Sequence, residues 1–188
     1  MTKSTLSKPK EKHLFRGVLA GIVGGLVASW VMNEFMAGPG QKLQHSLQTD
    51  EQNRQEEEQE RQREESGEPR IDATMKTADA LVNVATGGEH LSMEGKQQGG
   101  PIVHYAFGAI MGGVYGGLAE YSSLARSGFG TTFGSVLFTG ADLVAVPAFN
   151  LSPPFAEQAP ASLASPFAAH IVYGATTELV RRLVRRLL

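Results

Sequence analysis

The sequence contains no cysteine, which excludes disulfide bonds and metal sites with thiolate ligands. It also lacks a phosphate-binding loop, a helix with paired zinc-binding histidines and a serine nucleophile elbow. We therefore expect no enzymatic activity, no cofactor and no bound metal. The net charge is only -2, because an acidic central segment offsets basic ends. This balance gives no indication of nucleic-acid binding.

Glycine is abundant, at 22 of 188 residues, and recurs at four-residue spacing in apolar segments. Gly108, Gly112 and Gly116 form one such ladder, and Gly21 and Gly25 belong to a second. In a water-exposed helix each glycine costs roughly 1 kcal/mol relative to alanine. In lipid the same spacing forms a groove in which a second helix packs closely. We therefore predict helix packing through these glycines, which leaves room for a homo-oligomer or another membrane protein as partner.

Four apolar segments approach the roughly 20 residues that cross a bilayer. They are residues 14–38, 101–121, 128–149 and 163–180, and Pro39 is expected to end the first. The sequence predicts an all-α, polytopic membrane protein: a bundle of four transmembrane helices with a polar, partly helical outer loop. A soluble protein with glycine-rich buried helices is the alternative. No small-residue cleavage site follows the first segment, which is therefore expected to be a retained anchor.

The distribution of basic residues predicts the orientation in a bacterial inner membrane. They concentrate in the tail 1–13 and in the C-terminal segment 181–188, and none occurs between residues 150 and 162. This pattern favours cytoplasmic termini and an extracytoplasmic loop at 39–100. The C-terminal segment is also amphipathic, which suits the anionic lipids of the cytoplasmic leaflet.

The outer loop has two parts of different character. Residues 48–66 are rich in glutamate and glutamine, which is typical of a solvated helix or of disorder. Within residues 71–86, apolar side chains fall at three- and four-residue spacing. This second part predicts a short amphipathic helix that lies on the outer membrane surface or caps the bundle.

Each predicted span carries one titratable residue in the outer half of the bilayer, given a rise of about 1.5 Å per residue. These residues are Glu34, His104, Asp142 and His170. Charged groups at membrane depth are expensive, so they form a candidate intramembrane polar cluster. The alternative is that the histidines only hydrogen-bond between helices.

Two further carboxylates lie near the predicted inner ends of their spans. Glu120 ends the second span and Glu178 the fourth, and Arg126, Arg181 and Arg182 follow in the sequence. We predict ion pairs among these five residues at the inner interface.

Three apolar segments carry a resemblance to a known family. In order they read GVLAGIVGGLVASWVMNEF, HYAFGAIMGGVYGGLAE and HIVYGATTELVRR. This order resembles the uncharacterised bacterial inner-membrane family typified by YagU, which carries a domain of unknown function and has been linked to acid tolerance. The resemblance implies an inner-membrane location and supplies no catalytic residues. The glutamate-rich segment departs from the family pattern.

Three classes of function are open on the sequence. The first is a structural or accessory membrane protein whose polar groups hold helices together, with a stress- or acid-related role as one option. The second is a proton- or ion-conducting protein that uses the four polar residues. The third is a membrane metalloenzyme, because two histidines and two carboxylates suit zinc or iron. Convergence of the four side chains on one cavity would favour the second or third class.

Overall fold

The computed structural model describes residues 13–188, which are mostly helical and contain no β-strand. The prediction of an all-α protein is confirmed for this part of the chain. The helices are α1 (Leu14–Leu47), α2 (Asp50–Ser66), α3 (Ala73–Thr86), α4 (Met93–Tyr121), α5 (Ser127–Ala148) and α6 (Pro160–Leu187). Of the predicted basic tail, only His13 falls within the described residues.

Three of the described helices, α1, α4 and α5, are long and apolar enough to cross a membrane. Helix α6 covers the predicted fourth span but is not among them. Its sequence is interrupted by polar residues, of which His170, Thr177 and Glu178 are buried against other helices. The polar content of α6 is therefore explained by its packing inside the protein.

Many large apolar side chains lie on the outside of this bundle, and most of its buried apolar residues are alanines. Trp30, Ile110 and Val136 are 54%, 60% and 64% exposed, whereas Ala20 and Ala28 are completely buried. Lipid solvates large apolar side chains without penalty, and small residues allow membrane helices to approach closely. This distribution is typical of a membrane protein.

Helix α1 lies between α4 and α6, with which it makes its most extensive contacts. Helix α6 also packs against α5, and α3 packs against the first part of α4. The bundle is thus built around α1 and α6.

Helix α1 does not end at Pro39 as expected. It passes through a π-helical turn, Met36–Gly40, and continues as an α-helix over Gln41–Leu47. Proline removes one backbone donor and crowds the preceding turn of an α-helix. The wider π turn accommodates this residue, so the helix extends beyond the predicted span.

The glutamate-rich segment forms a solvated helix, α2, rather than disorder. It is not continuous with α1, because Thr49 has extended backbone geometry and caps the new helix. The Thr49 hydroxyl accepts from the Gln52 amide, and the Gln52 side chain accepts from the Thr49 amide. Helix α2 ends at Gly67, whose φ of 67° is left-handed.

Helix α3 occupies most of the predicted amphipathic segment and is tied to α4 through Asp79. This carboxylate accepts from the Leu91 amide at 2.6 Å, lies 3.0 Å from His90 Nδ1 and pairs with Lys96 Nζ at 3.1 Å. Burial opposes the charged form, but these contacts outweigh it and lower the pKa of Asp79 to about 2. Ala78 is buried beside Gly99. The two helices therefore form one packed unit at this end of the bundle.

Candidate functional site

A cavity of about 420 Å³ opens between α1, α3, α4, α5 and α6. Most of its lining is apolar, and includes Met32, Phe107 and Leu137. Its titratable side chains, among the described residues, are those of His104, Asp142, His170 and Tyr173. We call this space the polar cavity.

Asp142 and His170 face each other across the polar cavity. Asp142 Oδ2 lies 3.5 Å from His170 Nδ1, and the two side chains are 35% and 8% exposed. The same Nδ1 is 2.9 Å from the carbonyl oxygen of Pro166, which can only accept a hydrogen bond. Nδ1 is therefore the protonated nitrogen of neutral His170 and donates to this carbonyl.

The backbone around Asp142 is a π-helix, Thr139–Ala145, within α5. In a π-helical segment each hydrogen bond spans one residue more than in an α-helix. Such segments are rare and are frequently found at functional sites. Here the segment carries Asp142, which contacts α6 through His170. The local irregularity thus coincides with the most polar part of the cavity.

His104 lines the polar cavity from α4. Its Nε2 is 3.4 Å from the carbonyl oxygen of Ser29 on α1. The Ser29 hydroxyl is buried and has no hydrogen-bond partner within residues 13–188. No group of three or more metal-ligating side chains occurs in the described part of the chain.

Glu34 does not join the other three members of the predicted cluster. Its residue is exposed, and it is absent from the lining of the polar cavity. Depth along a span does not determine which face of the helix a side chain occupies. The structure therefore brings together His104, Asp142 and His170 and leaves Glu34 outside.

The two glycine ladders face each other between α1 and α4. A Cβ on Gly21 would lie 2.8 Å from the Cα of Gly116, and one on Gly25 would lie 3.0 Å from the Cα of Gly112. One on Gly108 would collide with the Ser29 side chain. Antiparallel helices thus touch backbone to backbone, and only glycine fits at these positions.

A family model described as "Protein of unknown function (DUF1440)" matches residues 84–179. The chain belongs to this family. No curated protein and no solved structure matches it significantly. The DUF1440 region contains His104, Asp142 and His170, whereas Glu34 and helix α2 precede it.

The end of the bundle at which α6 terminates contains a buried ion-pair network. Glu178 is completely buried and accepts from the Tyr115 hydroxyl at 2.8 Å. It also pairs with Arg181 Nε at 2.7 Å and with Arg182 Nε at 2.6 Å. Three side chains donate four hydrogen bonds to this carboxylate, as a buried charge requires.

Glu120 forms the second half of this network. Its main partner is Arg185, whose Nε lies 2.9 Å from Oε1, and Arg181 Nη1 lies 3.8 Å from the same oxygen. Within residues 13–188, Arg126 pairs with neither glutamate, in contrast to the sequence prediction. The sequence prediction also omitted Arg185 and Tyr115, although Arg185 follows Arg181 by one helical turn and thus shares its face.

Proposed function

We propose that this DUF1440 protein is a YagU-like accessory protein of the bacterial inner membrane, without enzymatic activity, whose packing responds to acid. In this proposal α6 is the fourth span and both termini are cytoplasmic. The burial of His170, Thr177 and Glu178 supports this role for α6, because a span surrounded by protein tolerates polar residues. The predicted homo-oligomer is part of the same proposal.

The contact between Asp142 and His170 carries the proposal. A histidine side chain gains its charge in the range from about pH 8 to pH 5. Acid would turn the 3.5 Å contact into a pair of opposite charges and draw α5 toward α6. The other titratable groups that line the polar cavity are His104 on α4 and Tyr173 on α6; the lining residues of α1 and α3 are uncharged.

The packing inward of the polar cavity favours this function over proton conduction. The Tyr173 hydroxyl donates to the carbonyl oxygen of Gly108 at 2.6 Å, one helical turn inward of His170 and of His104. Tyr173 and Gly108 are both buried. A proton-conducting path needs polar groups or water along its whole length. The bond between Tyr173 and Gly108 instead packs α6 directly against α4.

Hydrogen exchange of the full-length protein in lipid nanodiscs tests the proposal. We expect amides of the π-helix, Thr139–Ala145, to be severalfold better protected at pH 5 than at pH 7.5, after correction for intrinsic exchange. Asp142→Asn and His170→Gln should remove the difference. Glu34→Gln is the matched control, since this exposed carboxylate lies outside the polar cavity.

Two outcomes would contradict the proposal. An acid response that persists in both Asp142→Asn and His170→Gln would reduce the pair to helix packing. Proton flux into liposomes that depends on Asp142 would favour conduction instead. Light scattering on the same samples gives the oligomer size, so the predicted homo-oligomer is tested independently of the acid response.

A further inference from the structure

The bundle contains a second cavity, of about 340 Å³, at the end where α6 terminates. We call it the arginine cavity. Five arginines and one carboxylate line it: Arg126, Arg181, Arg182, Arg185, Arg186 and Glu120. Arg126 comes from the turn between α4 and α5, and the other arginines come from the end of α6. Two elements that are distant in sequence therefore bring their basic side chains together.

Buried carboxylates hold two of these arginines in place. Arg181 is 5% exposed and donates to Glu178 through Nε and Nη2. Arg185 is 8% exposed and donates to Glu120 through Nε and Nη2. Guanidinium groups fixed by such paired hydrogen bonds lose little further entropy when they bind a ligand.

The two carboxylates do not balance the positive charge of the arginine cavity. Glu120 and Glu178 pair with Arg181, Arg182 and Arg185, so two negative charges stand against the five positive charges of the cavity lining. Within residues 13–188, neither Arg126 nor Arg186 forms an ion pair with a carboxylate, and both are exposed. A concave surface with excess charge of one sign concentrates ions of the other sign.

We propose that the arginine cavity binds a phosphate group. The guanidinium group presents its N–H donors in a planar fork that matches two phosphate oxygens. The group can come from an anionic phospholipid or from free phosphate. Basic pockets at the ends of membrane helices bind lipid headgroups. The apolar helix α4 ends beside this cavity, and the apolar helix α5 begins beside it. The site is separate from the polar cavity, so the inference does not depend on the acid response.

The test uses the full-length chain and a variant that leaves the buried ion pairs intact. Arg126→Gln combined with Arg186→Gln removes two charges that pair with no carboxylate in the described residues. Arg16→Gln is the matched control, because Arg16 is an exposed arginine at the start of α1 and does not line the arginine cavity. Native mass spectrometry counts bound phosphatidylglycerol after release from nanodiscs of phosphatidylcholine with or without phosphatidylglycerol. Thermal unfolding in phosphatidylcholine nanodiscs with inorganic phosphate or chloride, at equal ionic strength, measures binding of the free anion.

A lipid headgroup is supported as the ligand if the wild-type protein and Arg16→Gln both retain phosphatidylglycerol. The double variant should then retain at least tenfold less of this lipid. Stabilisation by inorganic phosphate that the double variant loses would support the free anion. The proposal is overturned if the wild-type protein neither retains the lipid nor gains stability from phosphate. It is also overturned if Arg16→Gln reduces binding as much as the double variant.

Discussion

The hydroxyl of Tyr173 donates a 2.6 Å hydrogen bond to the carbonyl oxygen of Gly108. Gly108 belongs to the glycine ladder of α4, and Tyr173 is 2% exposed on α6. This bond connects α6 to the α1–α4 pair. Along α6, Tyr173 lies between His170 of the polar cavity and Glu178 of the ion-pair network, so the bond separates these two polar regions of the bundle.

Tyr173→Phe should destabilise the bundle by about 1 kcal/mol, the usual net contribution of an intramolecular hydrogen bond. The substitution removes the hydroxyl and keeps the buried ring, so little packing is lost. The measurement is chemical unfolding in detergent. Tyr105→Phe is the control, because Tyr105 has no hydrogen bond from its hydroxyl within residues 13–188. Equal stability of the two variants would show that the bond to Gly108 contributes nothing.

Gly112→Leu should destabilise the contact between α1 and α4 by about 1–3 kcal/mol or more, the usual range for an overpacked interior. A Cβ on Gly112 would already lie 2.7 Å from the Cα of Gly25, and a leucine side chain needs far more room. Gly38→Leu is the control, since nothing lies within 4 Å of a Cβ at that position. Thermal unfolding in detergent compares the variants. If both variants unfolded at the wild-type temperature, the ladder would not be a tight interface.

The glycine ladder could be predicted from the sequence because spacing alone defines one helix face. Gly108, Gly112 and Gly116 recur at the period that places them on one side of α4. In a membrane helix such a row of glycines is typical of close packing against a second helix. The position of Gly40 could not be predicted in this way. The sequence predicts Gly40 in the outer loop, yet the residue is buried, and a Cβ there would lie 2.7 Å from Ser165 Oγ.

The polar groups show the limit of an argument from depth. The helical rise predicts Glu34, Asp142 and His170 in the same half of the bilayer, but contact also requires that their helices turn the right faces toward each other. Asp142 and His170 meet at 3.5 Å, whereas Glu34 is exposed. The bond from Tyr115 to Glu178 joins residues 63 positions apart, and no local sequence pattern predicts it. Pairings of this kind depend on which helices become neighbours.

Asp79→Asn should loosen the junction of α3 and α4 at neutral pH and have little effect in strong acid. The pKa of Asp79 falls from 3.8 to about 2 on folding, so its carboxylate stabilises the folded state above about pH 4. That contribution is lost as the pH falls through about 2. Hydrogen exchange of the Leu91 amide, which donates to this carboxylate at 2.6 Å, reports the change.

Glu89→Gln provides the control for this measurement, since Glu89 is an exposed carboxylate beside the same junction. The wild-type protein and Glu89→Gln should protect the Leu91 amide equally at pH 7, and Asp79→Asn should protect it less. The difference in Leu91 protection between Asp79→Asn and the other two proteins should narrow as the pH falls from about 4 to about 2. These limits are the pKa values of Asp79 in the unfolded and the folded protein. A difference of the same size at both ends of this interval would contradict an electrostatic role for Asp79.

The predicted orientation places α2 outside the cell and the turn between α4 and α5 in the cytoplasm. The absence of native cysteine means that one introduced thiol is a unique label site. Glu58 on α2 and Ser123 in the turn are both exposed, so neither substitution disturbs packing. In intact cells, an impermeant thiol reagent should label Glu58→Cys and should label Ser123→Cys only after the membrane is opened. The opposite pattern would reverse the orientation, and labelling of both in intact cells would place the two segments on the same side and contradict α4 as a span.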